Sequence, residues 1–214
     1  MFKKLLKRGM SVIDVGAHIG YYSLLSASLV GEEGKVFAFE PEPHNYNELI
    51  NNISLNDYLN IRAINSAVGD KNGFSDLFIA KTWSGKHSLF QTSSDMKDSI
   101  SVPVVTLDSY IHDGKVDLIK TDTEGNDLKV LLGARNTTKN CSFYITEFWE
   151  QGLIKSGYSA EQYWSLINEC DFEYIYLLNE HKKCAELINL KAVLDYFRKY
   201  RISVNLLCAK EKIG

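Results

Sequence analysis

The 214-residue sequence predicts an α/β domain in which helices cover both faces of a mostly parallel sheet, with a hairpin inserted into it. Three observations lead there. Short apolar runs alternate with helical stripes along the chain, a strand at Val12–Val15 runs into a glycine turn and a helix, and the 45% hydrophobic content fits one globular domain.

The first strand passes through Asp14, Gly16 and Gly20 into a helix expected to bury Tyr21, Leu24 and Leu25. A second buried strand, Val36-Phe-Ala-Phe-Glu40, is stopped by Pro41, and the helix from about His44 carries Tyr46, Leu49, Ile50 and Ile53 at i, i+3, i+4 and i+7. A third strand is expected from Asn60 to Val68. After it, Lys71-Asn72-Gly73 supplies turn chemistry before Phe74–Ile79, the first arm of the hairpin. Residues 80–100 are polar and hold Trp83, Gly85 and His87. They read either as a lid over a bound acceptor or as a surface loop with Trp83 tucked against the domain. Pro103 cannot donate to a ladder, so Val102–Leu107 reads as an edge strand.

A buried strand from Val116 to about Thr121 then meets Asp122, Thr123 and Glu124 before a helix with Leu128, Leu131 and Leu132. Phe143–Phe148 is the next strand, followed by a helix burying Ala160, Tyr163, Trp164 and Ile167 and a strand at Phe172–Leu178. Leu187, Leu190, Leu194 and Phe197 mark a last helix, and Ser203–Cys208 a last strand, completing seven main strands.

The net charge of −3 argues against an obligatory nucleic-acid partner. Lys182, Lys183, Arg198, Lys199 and Arg201 read as a solvated face. No apolar run reaches membrane-spanning length. Residues 1–10 form a basic N-terminal segment ahead of a single domain at 11–214. They lack the apolar stretch of a signal peptide and read as a solvated terminus in preference to an amphipathic turn touching anionic lipid. Cys141, Cys170, Cys184 and Cys208 form no C-x-x-C pair. Buried free thiols are expected, hence a reducing, cytoplasmic setting, although a secreted chain would have the cysteines for two disulfides. No sequence signal fixes the oligomeric state.

The glycine turn invites a ligand. Gly16 is expected to leave room for it and Gly20 to let the next helix approach. The dinucleotide pattern G-x-G-x-x-G fails because His18 replaces its middle glycine, and no G-x-x-x-x-G-K-[ST] cradles a triphosphate. Asp14 would repel phosphate and attract an ammonium, which favours S-adenosylmethionine, a molecule with an amino group and a sulfonium but no phosphate. Glu40 stands about twenty residues beyond the turn, where doubly wound folds place the acid that bonds ribose hydroxyls. It also reads as a surface acid or as a charge favoured by the following helix dipole.

Asp122 and Glu124 meet the same crevice, Asp122 or Thr123 also reads as an N-cap of the helix, a role compatible with catalysis, and Gly125 would admit a methyl donor or acceptor beside them. Glu147, near a strand end, belongs either to an acceptor pocket or to the sheet edge as a satisfied acid. Asp122, Glu124 and Glu147 offer oxygen ligands to magnesium or calcium, but no metal motif accompanies them and no metal site is predicted. His87 and His181 remain alternative bases.

The segments Asp14–Ser23, Phe39-Glu-Pro41, Ala67-Val-Gly-Asp70, Thr106-Leu-Asp108 and Asp117-Leu-Ile-Lys-Thr-Asp-Thr-Glu-Gly125 together resemble the motifs of the FkbM family of S-adenosylmethionine-dependent methyltransferases, which act mainly on hydroxyls. The resemblance implies a Rossmann-like class I methyltransferase fold, its last strand antiparallel and inserted between the two before it. It implies donor contacts at Asp14, Gly16, Ala17, His18, Gly20, Tyr21, Glu40, Pro41, Ala67 and Asp122, with Asp122 and Glu124 at the reactive end. The sequence departs from the pattern at His18, where the family commonly has a small polar residue such as Asn, and at Ala67, where many class I enzymes place an Asp or Asn near adenine. The amino-methylating signatures N-P-P-Y and D-P-P-Y are absent. The implied reaction is methyl transfer to a hydroxyl of a sugar, glycan or secondary metabolite, with Glu124 as base and Asp122 or Glu147 as alternatives. A noncatalytic S-adenosylmethionine-binding module, or a nucleotide-sugar or NAD enzyme using the same crevice, are the competing readings.

Overall fold

In the computed structural model, which describes residues 1–80, 87–91, 98–111, 115–179, 184–200 and 203–213, β1 (Ser11–Val15) lies where the strand order reverses. On one side the chain runs through α2 (Tyr21–Val30), β2 (Lys35–Phe39) and α3 (Pro43–Leu55) to β3 (Ile61–Ile64). On the other it runs through β7 (Leu118–Thr121), α5 (Asp127–Leu132) and β8 (Phe143–Phe148). These five strands are parallel, with Asp14 paired to Ala38 and to Lys120. Beyond β8, β11 (Val204–Ala209) is antiparallel and sits between β8 and β9 (Tyr174–Asn179), as the resemblance implies.

A further edge strand, β10 (Cys184–Leu187), makes the sheet eight-stranded instead of seven, in the order β10-β9-β11-β8-β7-β1-β2-β3. Three of its pairings are antiparallel. Leu187 therefore belongs to β10, where it is exposed, and the last helix, α8 (Leu190–Tyr200), starts after it.

The expected third strand is two strands. It breaks after Ile64, and Ala67–Val68 (β4) leaves the main sheet to join β5 (Gly73–Ile79) and β6 (Asp98–Val105) in a separate sheet of order β4-β6-β5. Asn65 holds the break by donating to the Glu40 and Pro41 carbonyls. The β5–β6 pair is the expected hairpin, but β6 is central and not an edge. Pro103 is tolerated because β4 pairs only with Val104 and Val105, past the proline.

Side chains alternate between two cores, as the period of a strand demands. Ile13, Ile119, Tyr144 and Leu206 pack toward α5, α7 (Ala160–Glu169) and α8, while Val12, Leu118, Ile145 and Leu207 face the core beside α1 (Phe2–Leu5) and α2. Phe2, Leu5 and Leu6 are buried in that second core, and Phe2 stacks on Tyr22 with centroids 4.9 Å apart. The N-terminal segment is therefore packed on the domain, with Lys3, Lys4, Lys7 and Arg8 left at the surface.

On α2 the buried face is Ser23, Ser26, Ala27 and Val30, whereas Tyr21 is exposed. Small side chains let this helix lie close to the sheet, a signal that hydrophobicity alone misses. On α3 Asn45 and Leu49 are buried and Ile50 is exposed. Cys141, Cys170 and Cys208 are buried free thiols; the side chain of Cys184 lies outside the described part. Among the described residues no helix is long and apolar enough to cross a membrane.

Candidate active site

The carboxyl ends of β1 and β7 meet at the switch point, the place where open α/β sheets hold their ligands. Gly16, at φ +75°, leaves β1, and a Cβ there would collide with the Asp122 carbonyl oxygen. The room Gly16 makes is thus for the exit of β7, not for a ligand. At Gly20 an added Cβ would meet Leu49 of α3 at 2.6 Å, so the close approach is by α3.

Asp14 is 1% exposed and does not reach the crevice. Ser23 Oγ donates to its Oδ2 at 2.6 Å, and Lys120 Nζ lies 3.2 Å from its Oδ1. The ammonium that Asp14 attracts is therefore the chain's own. Lys120 also donates to the Gly16 carbonyl at 3.3 Å, lies 3.8 Å from Asp122 Oδ2 and sits 5.1 Å from the centroid of Tyr22. Burial opposes the Lys120 charge, but Asp14 and Asp122 outweigh it and hold the pKa above the ordinary lysine value.

Glu40 is buried at the end of β2, its Oε2 accepting the His18 N–H at 2.8 Å and its Oε1 the Glu42 N–H at 3.0 Å. Burial raises its pKa to about 7 despite these bonds. It is therefore no surface acid, and the cap of α3 is Glu42, which accepts from the Asn45 N–H. His18 has φ +52°, a conformation in which Asn, Asp and His are enriched, so the backbone demand of this turn suits a histidine. Burial and the nearby Lys120 lower its pKa.

After Thr121 the chain does not enter a helix at once. Neither Asp122 nor Thr123 caps α5, whose N-cap is Asn126. Glu124 at φ +52° and Gly125 at φ +96° make a left-handed turn between them and the helix. The space beside Gly125 is filled by protein, since a Cβ there would lie 2.8 Å from Phe90 Cζ and 3.0 Å from Gly152 Cα. It does not admit a donor or acceptor.

A crevice opens over these ends, enclosing about 570 Å³ of non-atom space with the open solvent at its mouth included. Of the residues singled out from the sequence, Gly16, His18, Glu40, Pro41, Ala67, Asp122 and Glu124 line it. Asp14, Ala17, Gly20, Tyr21 and Glu147 do not. Glu147, on β8 opposite Asn205, has an Oε2 without a partner among the described residues. Burial, and then the charges of Asp122 and Asp127, raise its pKa to about 8. Burial first, and then the charge of Asp122, raise that of the fully buried Asp127 to about 6. Among the described residues no three His, Cys, Asp or Glu side chains gather as a metal would require.

The far wall belongs to the small sheet, through Leu77 and the segment His87-Ser88-Leu89. Ser88 bridges to Phe78 by two backbone bonds, and its Oγ donates to the Glu124 carbonyl at 3.1 Å. The Ala80 N–H donates to His87 Nδ1 at 3.0 Å, which places the proton of the neutral ring on Nε2. Burial lowers the pKa of His87, so near neutral pH it faces the site as a donor and not as a base. Trp83, Gly85, His181, Lys182, Lys183 and Arg201 lie outside the described residues.

Several residues here were not singled out from the sequence. A lysine between Ile119 and Thr121 in an apolar strand was a legible anomaly, because a fully buried lysine demands acid partners. Asn126, which lines the crevice and donates from Nδ2 to the Val68 carbonyl, gave no local signal.

A Rossmann-like sheet with an antiparallel strand inserted near one edge, and a crevice walled by the ends of β1, β2 and β7, is the architecture of class I methyltransferases. The relationship is narrower than that. The chain belongs to the family of the methyltransferase FkbM domain, whose model matches residues 14–174. Hexuronic acid methyltransferase AglP of Haloferax volcanii is 26% identical over 137 residues, covering 63% of this chain and 54% of AglP. Methyltransferase sdnD of Sordaria araneosa is 29% identical over 177 residues, covering 67% of this chain and 68% of sdnD. The chain thus spans about half the length of AglP. The methyltransferase FkbM structure from Methylobacillus flagellatus KT shares the fold at a TM-score of 0.55 and 18% identity, over 93% of this chain and 43% of the other.

Proposed function

We propose that the chain transfers a methyl group from S-adenosylmethionine to a hydroxyl oxygen of a sugar-like or other small acceptor. The observation that carries this reading is one crevice with a buried acid, Glu40, on one wall and the turn Asp122-Thr123-Glu124 on another. The residues fit the donor: Glu40 would accept from ribose hydroxyls, and Asp122, its side chain 45% exposed, would face the ammonium. Asp14 acts from behind by holding Lys120. The donor brings a methyl group on a positively charged sulfur.

The chain must align an acceptor oxygen with that group and keep water away. Glu124 is the residue we assign to the hydroxyl proton. Its carboxylate would take that proton as the oxygen–carbon bond forms and the carbon–sulfur bond breaks, leaving a neutral thioether and a methyl ether. The hexuronic acid in the name of the Haloferax relative favours a sugar acid or related hydroxyl as acceptor.

Adding S-adenosylhomocysteine at about a hundred times its dissociation constant should stabilise the protein by ~2.7 kcal/mol and raise the melting temperature roughly 5–10 °C, while NAD should not. With labelled donor and a panel of uronic acids and neutral sugars, Glu124→Gln should lower turnover about 10²–10⁴-fold at nearly unchanged donor affinity. No thermal shift at millimolar S-adenosylhomocysteine would overturn the donor assignment, and a variant at full rate would remove Glu124 as base.

A further inference from the structure

Asn126 is 1% exposed and lines the crevice beside Val68 and Ala67. Its Nδ2 donates to the Val68 carbonyl at 3.0 Å, and because a carbonyl can only accept, that bond fixes which way the amide faces. Oδ1 is thereby turned away from Val68, buried, and without a partner among the described residues. An asparagine at the N-cap of a helix ordinarily spends Oδ1 on a backbone N–H of the first turn, and this one does not. Buried acceptors in folded proteins are paired as a rule, and no described residue supplies this one with its donor.

The surroundings define that donor. Val68, Leu77 and Leu89 give this part of the crevice apolar walls suited to a flat ring, while Glu40 supplies the acceptor for hydroxyls. Ala67 contributes no polar atom from its side chain. We propose that Asn126 reads the purine of the methyl donor, its Oδ1 accepting a hydrogen bond from the exocyclic amino group of adenine. Asn126 is then the specificity residue that takes over what the side chain at position 67 cannot do. This rests on the crevice being the S-adenosylmethionine site.

The test compares S-adenosylhomocysteine with S-inosylhomocysteine, in which a carbonyl replaces the amino group, by calorimetric titration of the full chain. The native protein should bind the amino compound roughly 10–100-fold more tightly, because the oxo compound sets one acceptor against another. In Asn126→Ala the preference should fall to within about threefold, chiefly by loss of affinity for the amino compound. Asn126→Ser, which also removes the amide oxygen, should lose the preference as well. Glu40→Gln should weaken both ligands by a similar factor and leave their ratio unchanged. Equal binding of the two nucleosides by the native protein overturns the assignment of Asn126 without any variant, as does a preference that survives in either substitution. Failure of the native protein to bind either ligand overturns the donor assignment itself, and this proposal with it.

Discussion

Glu147→Gln should make the protein more stable in alkali while changing little in acid. Burial, followed by the charges of Asp122 and Asp127, raises the Glu147 pKa to about 8 from an ordinary 4.5, so the folded chain holds this proton through neutral pH. A carboxyl group whose pKa rises on folding gives its stabilisation in full below its unfolded value. It loses that stabilisation as the pH climbs through the folded one. A shift of this size corresponds at most to about 5 kcal/mol; because Glu147 is only partly buried, about 2 kcal/mol is the working figure. Glutamine is neutral throughout and keeps the shape. Urea denaturation of both proteins at pH 5 and pH 9 should therefore show the native protein losing ~2 kcal/mol more than the variant, equivalent to roughly 4–8 °C in melting temperature. The comparison isolates Glu147, since Glu40 and Asp127 titrate in both proteins. Stability profiles parallel to within ~0.5 kcal/mol would show that Glu147 is ionised in the folded chain and that the crowding of acids behind β7 is solvated away.

The Glu40 carboxyl has a pKa raised to about 7, and its ionised form is the better acceptor for hydroxyls. Affinity for S-adenosylhomocysteine should rise from pH 6 to pH 8 in the native protein, whereas Glu40→Gln should bind about 5–30-fold more weakly with no such rise, by titration calorimetry. Lys120→Met leaves Asp14 buried without its cation and should cost roughly 3–5 kcal/mol in chemical denaturation. A loss below ~1 kcal/mol would mean that Asp14 is protonated or hydrated. Methyl transfer should survive EDTA, and activity abolished by the chelator and restored by magnesium would reverse that expectation.

Much of the lining of the candidate site was legible because local chemistry carries it. Glu40 stands at a strand end a fixed interval after a glycine turn, and the acids after Thr121 announce a strand that stops at a crevice. The readings that failed depend on contacts made across the fold. Asp14 looks like a ligand for an ammonium, and only the pairing of β1 with β7 reveals that Lys120 supplies it. Gly16 and Gly125 announce close approaches without saying to what, and both face protein. Leu187 shares the spacing of α8, yet it is drawn into β10 by pairing with Tyr176. Asn126 is recognisable only once Val68 stands beside it, and Val68 itself hides in what reads as one continuous strand.

The division of the crevice between two sheets has a consequence for motion. One wall hangs from the eight-stranded sheet and the other from the three-stranded one, which has its own small core around Leu77, Val102 and Val104. Among the described residues, Ser88 to Glu124 and Asn126 to Val68 are polar links that join the two near the opening. A ligand gripped by both walls acts as a rivet, adding its binding free energy to the seam. Amide exchange in β5 and β6 should slow on ligand binding far more than exchange in β1 or β7, which are already clamped from both sides.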